Sequence, residues 1–228
     1  MKKIFIFSIF LFLLPVFRLN AQSVDLLWQG EAYTPPFYQG RTLWSKQSRI
    51  TLVAIPQGLG NPANLNYKWT KTGTVLGNIN GVGKNTISFF DSILSKPQNI
   101  KVEILASDKT VLASASVAVA PTNPSLAVYE NNPLYGFMFH REITGTHKLQ
   151  GQEVTFTAFP LFFSALNRID SSINYQWRTN TGEAETKNSV TYRAPDNATG
   201  SSEVKVSVSN KDEITQSAKG SFLIEFGQ

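Results

Sequence analysis

Residues 49–56 and 153–160 are two versions of one segment, and this repetition constrains the fold more than any other feature of the chain. Arg49-Ile50-Thr51-Leu52-Val53-Ala54-Ile55-Pro56 matches Glu153-Val154-Thr155-Phe156-Thr157-Ala158-Phe159-Pro160, an offset of 104 residues from Arg49 to Glu153. Leu65-Asn66-Tyr67-Lys68-Trp69 matches Ile173-Asn174-Tyr175-Gln176-Trp177 at an offset of 108. Asn85–Phe89 resembles Asn188–Tyr192, and Ile100–Ile104 resembles Val204–Val208, back at 104. The same segments recur in the same order over about a hundred residues, which means two copies of one unit and not a solenoid of short repeats.

Each matching segment alternates apolar and polar residues, the period of a strand with one buried face. Ile50, Leu52 and Ala54 share a face, as do Val154, Phe156 and Ala158, and Ile100, Val102 and Ile104. Gly, Pro and Asn clusters separate the segments, and no long helical stripe interrupts them. The pattern predicts strands near 24–29, 42–45, 49–55, 65–70, 85–90, 99–106 and 110–119. In the second copy it predicts them near 125–130, 143–148, 153–159, 173–178, 188–193, 203–209 and 214–225. Short strands at this spacing point to an all-β chain of two antiparallel sandwiches. The expected division is 22–120 and 125–228, joined by a short Pro-containing linker at 121–124.

Tyr67-x-Trp69 and Tyr175-x-Trp177 resemble the strand-C tryptophan motif of immunoglobulin-like and PKD-like domains. Val204-x-Val206-x-Val208-Ser209-Asn210 is similar to the penultimate strand of PKD-like modules. Asp25-Leu26-Leu27-Trp28-Gln29, followed by Tyr33-Thr34-Pro35-Pro36-Phe37-Tyr38, resembles the opening of tandem Ig-like export proteins of candidate-phyla bacteria. The chain departs from immunoglobulin domains in having no cysteine pair. It departs from PKD domains where Trp69 is followed by Thr70-Lys71-Thr72-Gly73. The resemblance implies the fold and leaves function open, because such sandwiches carry many functions. Trp69 and Trp177 are the expected core markers. Burying one removes roughly 150–250 Å² from water, worth on the order of 4–6 kcal/mol gross, comparable with a missing inter-sheet disulfide.

With no cysteine, disulfides and thiolate chemistry are excluded. Lys2 and Lys3, the apolar run to Phe17 and the small Ala21 read as a signal peptide over 1–21, too short for an ordinary membrane span. The segment predicts export to the periplasm, cell surface or medium, with a mature start near Gln22. No second apolar stretch long enough to span a bilayer, no lipobox and no wall-sorting motif is visible. The whole chain carries 21 basic and 16 acidic residues, a net +5. Lys2, Lys3 and Arg18 leave with the signal, so 18 basic against 16 acidic residues give +2. The sequence pI near 9.4 is then no argument for nucleic acid.

Catalytic chemistry finds little material. His140 and His147 pair with no carboxylate by pattern, and no Gly-x-Ser-x-Gly occurs. The acids are scattered; Glu183/Glu185 and Asp212/Glu213 are the close pairs, and no calcium-loop motif is present. Gly81-Val82-Gly83-Lys84 lacks the Ser or Thr and the helix of a phosphate loop. No catalytic residue, metal or other cofactor is expected, and the chain is read as a non-enzyme.

The aromatic residues remain. Trp28, Tyr33, Phe37, Tyr38 and Trp44 cluster in the first copy and Tyr129, Tyr135, Phe137 and Phe139 in the second; Tyr33, Phe37, Tyr38 and Trp44 form a candidate surface for sugar rings, with core or edge cover as the competing role. The loop after Pro160 is longer than its counterpart after Pro56, and carries Leu161, Phe162 and Phe163 in a row. Phe162 or Phe163 is expected to dock against the first unit and limit bending. The alternatives are that both plug their own sandwich, or that they form a sticky site for an outside partner. Two functions follow: a structural or protein-interaction module of the cell envelope or surface, whose partner is another envelope protein, and a carbohydrate-binding accessory module.

Overall fold

The computed structural model describes residues 22–94, 96–179 and 184–227. The expected signal segment 1–21 and Glu183 of the Glu183/Glu185 pair lie outside the described residues. Eight strands make the first sandwich: β1 (Ser23–Glu31), β2 (Arg49–Gln57), β3 (Asn66–Lys71), β4 (Thr74–Val75), β5 (Gly81–Val82), β6 (Thr86–Phe90), β7 (Gln98–Leu105) and β8 (Val111–Val119). They form a β1-β2-β6 sheet facing a β4-β3-β7-β8 sheet, with β5 also on β3. Nine more follow: β9 (Ser125–Asn132), β10 (Gly136–Phe137), β11 (Gly145–Lys148), β12 (Glu153–Leu161), β13 (Ile173–Arg178), β14 (Ala184–Glu185), β15 (Ser189–Arg193), β16 (Gly200–Asn210) and β17 (Ser217–Phe226). Their sheets run β10-β9-β12-β15 and β11-β17-β16-β13-β14. In immunoglobulin lettering each sandwich sets an A-B-E sheet against a C′-C-F-G sheet. The strand pairs are antiparallel, apart from the parallel pair β11–β17.

The alternation of apolar residues becomes two separate cores. Ile50, Leu52 and Ala54 pack against Tyr67, Trp69, Ile100, Val102 and Ile104 in the first. Val154, Phe156 and Ala158 pack against Tyr175, Trp177, Val204, Val206 and Val208 in the second. Trp69 and Trp177 are both fully buried. Each indole N–H donates to a carbonyl of the segment before the next strand, Trp69 Nε1 to Lys84 O at 2.7 Å and Trp177 Nε1 to Lys187 O at 2.9 Å. These bonds let a polar N–H sit in an apolar interior without an unsatisfied donor.

One expected strand does not form. Residues 42–45 make single contacts only. Gly30 N–H donates to Thr42 O at 2.8 Å, and Ser45 bridges Thr122 in parallel. Leu43 O passes so close over Gly30 that a Cβ there would lie 2.2 Å away. The chain meets the edge of β1 at Thr42 and has crossed to the β8 side by Ser45, too few residues for a ladder. The equivalent stretch of the second sandwich does form a strand, β11. Thr122, in the 121–124 stretch, is held to the first sandwich on both sides, donating to Trp44 O at 2.7 Å and accepting from Lys46 N at 3.1 Å.

Candidate functional site

Residues 33–38 leave the first sandwich and lie against the second. Tyr33 opens the contact with a pair of backbone bonds: its N–H donates to Phe163 O, and Phe162 N–H donates to Tyr33 O, both at 2.8 Å. Phe162 stands edge-on to Tyr38 with ring centres 5.3 Å apart. Phe163, one residue on, is buried in the core of its own sandwich. The two rings thus part, Phe162 against Tyr38 and Phe163 in the core of its own sandwich. Leu161 packs with Phe37 and Phe137 over the outer face of β9 and β12.

That outer face is the centre of the joint. On β12, Val154, Phe156 and Ala158 point inward, so Phe159 points outward; on β9, Tyr129 does the same. Phe37 lies 4.9 Å from Tyr129, 4.9 Å from Phe139 and 5.6 Å from Phe159, ring centre to ring centre. The T-shaped and tilted geometries set ring edges against ring faces, which favours such clusters beyond their buried area. Arg168 closes the set, its guanidinium 5.1 Å from Phe137 and 5.3 Å from Phe159. It also faces Tyr33: burial pushes that hydroxyl's pKa up, and the nearby guanidinium pulls it back. Tyr175 is raised further by burial and donates to Arg168 O at 2.5 Å.

Beside this aromatic cluster lies a polar contact. Gln47 Oε1 accepts from Thr215 N at 2.8 Å and from Thr215 Oγ1 at 2.6 Å. Gln216 Nε2 donates to Lys46 O at 2.7 Å and to Ser164 Oγ at 2.8 Å. Among the described non-glycine residues with left-handed φ, Gln47 at 54° and Phe162 at 64° both stand at this joint. A bulky side chain in that region costs of order 1 kcal/mol or more, so the surrounding contacts must hold it there.

The candidate sugar-binding surface is not assembled. Trp44 is 1 % exposed in the first core, edge-on to Phe89, with its indole N–H on Ser48 O at 3.1 Å. Tyr33, Phe37 and Tyr38 are half-buried and face the second sandwich, so the four rings offer no common plane to a ligand. Arg168, Gln47, Thr215, Gln216 and Phe159 belong to the joint and are not among the expected site residues. A signal for Phe159 was present: apolar side chains on both faces of one strand break the alternation. Nothing local marks Gln47 or Gln216.

His140 is exposed, whereas His147 is 7 % exposed and packs edge-on against Phe156. Burial lowers its pKa, with Glu130 acting the other way and Arg141 in the same direction. Among the described residues no three His, Asp or Glu side chains converge to hold a metal ion. No described helix is long and apolar enough to cross a membrane.

Strand order, paired sheets and two tryptophan-centred cores define a tandem immunoglobulin-like β-sandwich protein. No protein-family model matches the chain, and no curated protein matches its sequence. Among solved structures it is similar to three N-terminal domains of the Highly Immunogenic Outer Capsid protein of bacteriophage RB49. That match has 18% identity, covers 90% of this chain and 59% of the other, and has a TM-score of 0.43. The chain thus spans less than two thirds of the phage structure. It is also similar to fibronectin(III)-like modules of Clostridium thermocellum CbhA, with 14% identity, 89% and 95% coverage and a TM-score of 0.29. The central fibronectin-III array of RIM-binding protein gives 12% identity, 87% and 68% coverage and a TM-score of 0.27. Scores of this size establish no shared fold over the whole chain; the fold assignment rests on the strand order and register.

Proposed function

We propose that this chain is an exported, non-catalytic structural or protein-interaction element of the cell envelope or surface, in which two sandwiches are held as one stiff unit. The export signal at 1–21, the units at 22–120 and 125–228 and the linker at 121–124 belong to this reading, as does the likeness to export proteins of candidate-phyla bacteria. The observation that carries it is Phe37 seated among Tyr129, Phe139 and Phe159. A freely bending pair would not bury an aromatic of one sandwich on the outer face of the other. The test is Phe37→Ser with Phe162→Ser, read by small-angle scattering. The expected result is a larger and more variable particle with tryptophan fluorescence unchanged in both cores. An unaltered scattering profile overturns the stiff-unit reading. Mass spectrometry of the native protein should find a start near Gln22, and retention of Met1 in a soluble form would overturn export.

One observation favours carbohydrate binding as a second reading, away from Tyr33, Phe37, Tyr38 and Trp44. A cavity of about 540 Å³ beside the β9–β10 hairpin is lined by Tyr135, Arg141, Glu130 and the buried His147. The Nδ1 of His147 has no hydrogen-bond partner, and Tyr135 is exposed. A saccharide-dependent fluorescence change lost in Tyr135→Ala would support this reading, and no response across a polysaccharide panel would remove it.

A further inference from the structure

The two sandwiches treat the outer edge of their last strand differently. In the second, β11 pairs along β17 from Phe222 to Glu225, and Leu149 N–H continues the pairing to Glu225 O at 2.8 Å. The seam beneath is closed, with Val128, Ile143, Phe222 and Ile224 all buried. In the first, β8 pairs with β7 on one side. No described strand pairs with its other side, and the Ser45–Thr122 bridge falls beyond its end. The residues that would cover it, the counterpart of β11, follow an excursion that is taken up by the joint.

The uncovered strand is Val111-Leu112-Ala113-Ser114-Ala115-Ser116-Val117-Ala118-Val119. It has no charge and no proline, two common protections of a sheet edge. Its register irregularity lies at Ile104/Leu105, the hairpin end, so the rest runs straight. Alongside, Leu26 of β1 and Ala115 and Val117 of β8 are only partly buried, while the Arg41 guanidinium lies 3.7 Å over the ring of Trp28. An open backbone edge therefore borders a partly covered apolar seam.

We infer that β8 is a pairing edge and that its occupant is β8 of a second copy of this chain, antiparallel about a two-fold axis near Ala115. Two identical strands related by such an axis are antiparallel by symmetry, and each supplies the N–H and C=O groups the other lacks. Nothing on the strand repels its copy, since it bears no charge. The small Ala113–Ser116 stretch at the axis lets the two sheets approach, doubling the β4-β3-β7-β8 sheet. The same operation brings Leu26 and Trp28 of the two copies toward one another over the seam. This inference rests on the stiff-unit reading in one respect: the joint is what draws residues 33–38 away from β8.

The test is sedimentation of the full mature chain over concentration, with amide exchange read by mass spectrometry. The expected result is a concentration-dependent dimer in which β8 amides are protected. Ser114→Lys with Ser116→Lys, both on the exposed face, sets like charges directly across the axis. It should weaken dimerisation at least tenfold, by the cost of opposed like charges, while leaving the melting of the monomer unchanged. Mixing this variant with Ser114→Glu/Ser116→Glu should restore a mixed dimer. A chain that stays monomeric at its highest soluble concentration overturns the inference. So does a dimer whose β8 amides exchange freely, or one that ignores the lysine pair. A stiff scattering profile from a chain that stays monomeric overturns the pairing and leaves the joint standing. A β8-protected dimer whose shape ignores Phe37→Ser/Phe162→Ser upholds the pairing and overturns the joint.

Discussion

The outer faces of β1–β2 and β9–β12 share one register and meet opposite fates. Leu27 pairs with Val53 as Tyr129 pairs with Thr157, and Asp25 with Ile55 as Ala127 with Phe159. Leu27 is 55 % and Ile55 37 % exposed, while Tyr129 is 6 % and Phe159 0 % exposed. Strand geometry is the same in both; the difference is the cover. Phe37, Phe137 and Phe139 lie over the second face, and no counterpart among the described residues lies over the first. The exchange continues at the opposite sheets, where the segment that covers the second sandwich's β9–β12 face is missing from the first sandwich's β8 edge. A repeat fixes which residues face outward, and the contacts between copies decide which outward residues become interior.

The shared part of the two copies should give the largest effect. Trp69→Ala and Trp177→Ala each remove a fully buried indole and should each cost about 3–5 kcal/mol in the sandwich that carries it. Urea unfolding followed by circular dichroism should show losses of similar size; a large inequality would break the equivalence of the cores. Next, Phe159→Ala should cost about 3 kcal/mol or more, whereas Ile55→Ala at the matching position should cost less than about 1 kcal/mol. Equal costs in chemical denaturation would mean that the outer face is not interior.

A pH comparison is expected to be smaller again. His147 is held neutral by burial, so its folded pKa lies below the unfolded value near 6.5. Its contribution is fully present above that value. Protonation of the unfolded chain removes it as pH falls through 6.5 toward the folded pKa. Glu130 opposes this and Arg141 adds to it. Unfolding midpoints at about pH 7.5 and about pH 5.5 should therefore separate the second sandwich from the first, which has no histidine, and His147→Gln should reduce the slope. If both sandwiches respond alike, His147 is not the cause. The smallest difference is sought where the copies agree. Thr51 bonds Ser88 at 2.7 Å and Thr155 bonds Thr191 at 2.8 Å across equivalent strand pairs. Thr51→Ala and Thr155→Ala should each cost about 0.2–1 kcal/mol in thermal unfolding, and equally.

Much of the strand layout is legible in the residues because alternation and turn chemistry are local. Residues 49–57 and 153–161 declare themselves by period, and the offset ties them to one fold. The segment 42–45 fails because its neighbours 33–38 are anchored on a different sandwich, a constraint no window along the chain contains. Trp44 is misread for a related reason: an aromatic cluster near a proline pair looks the same whether its rings meet solvent, core or a neighbouring sheet. Phe162 and Phe163 were legible as a pair that must be covered. Their division between two destinations depends on the left-handed turn at Phe162, which only the fold imposes.

The sequence by itself determined that this chain is all-β and tandem, with an apolar inner face and one tryptophan at the heart of each copy. Those properties follow from side-chain period and repetition, which are written along the chain. Tertiary structure alone decided that Phe37 covers Phe159, that Gln47 meets Thr215, and that β17 is edged while β8 is open. Each of these depends on residues distant in sequence arriving together, Gln47 and Thr215 across 168 positions. Contact between such residues is set by how two finished sandwiches dock, and no local pattern encodes it.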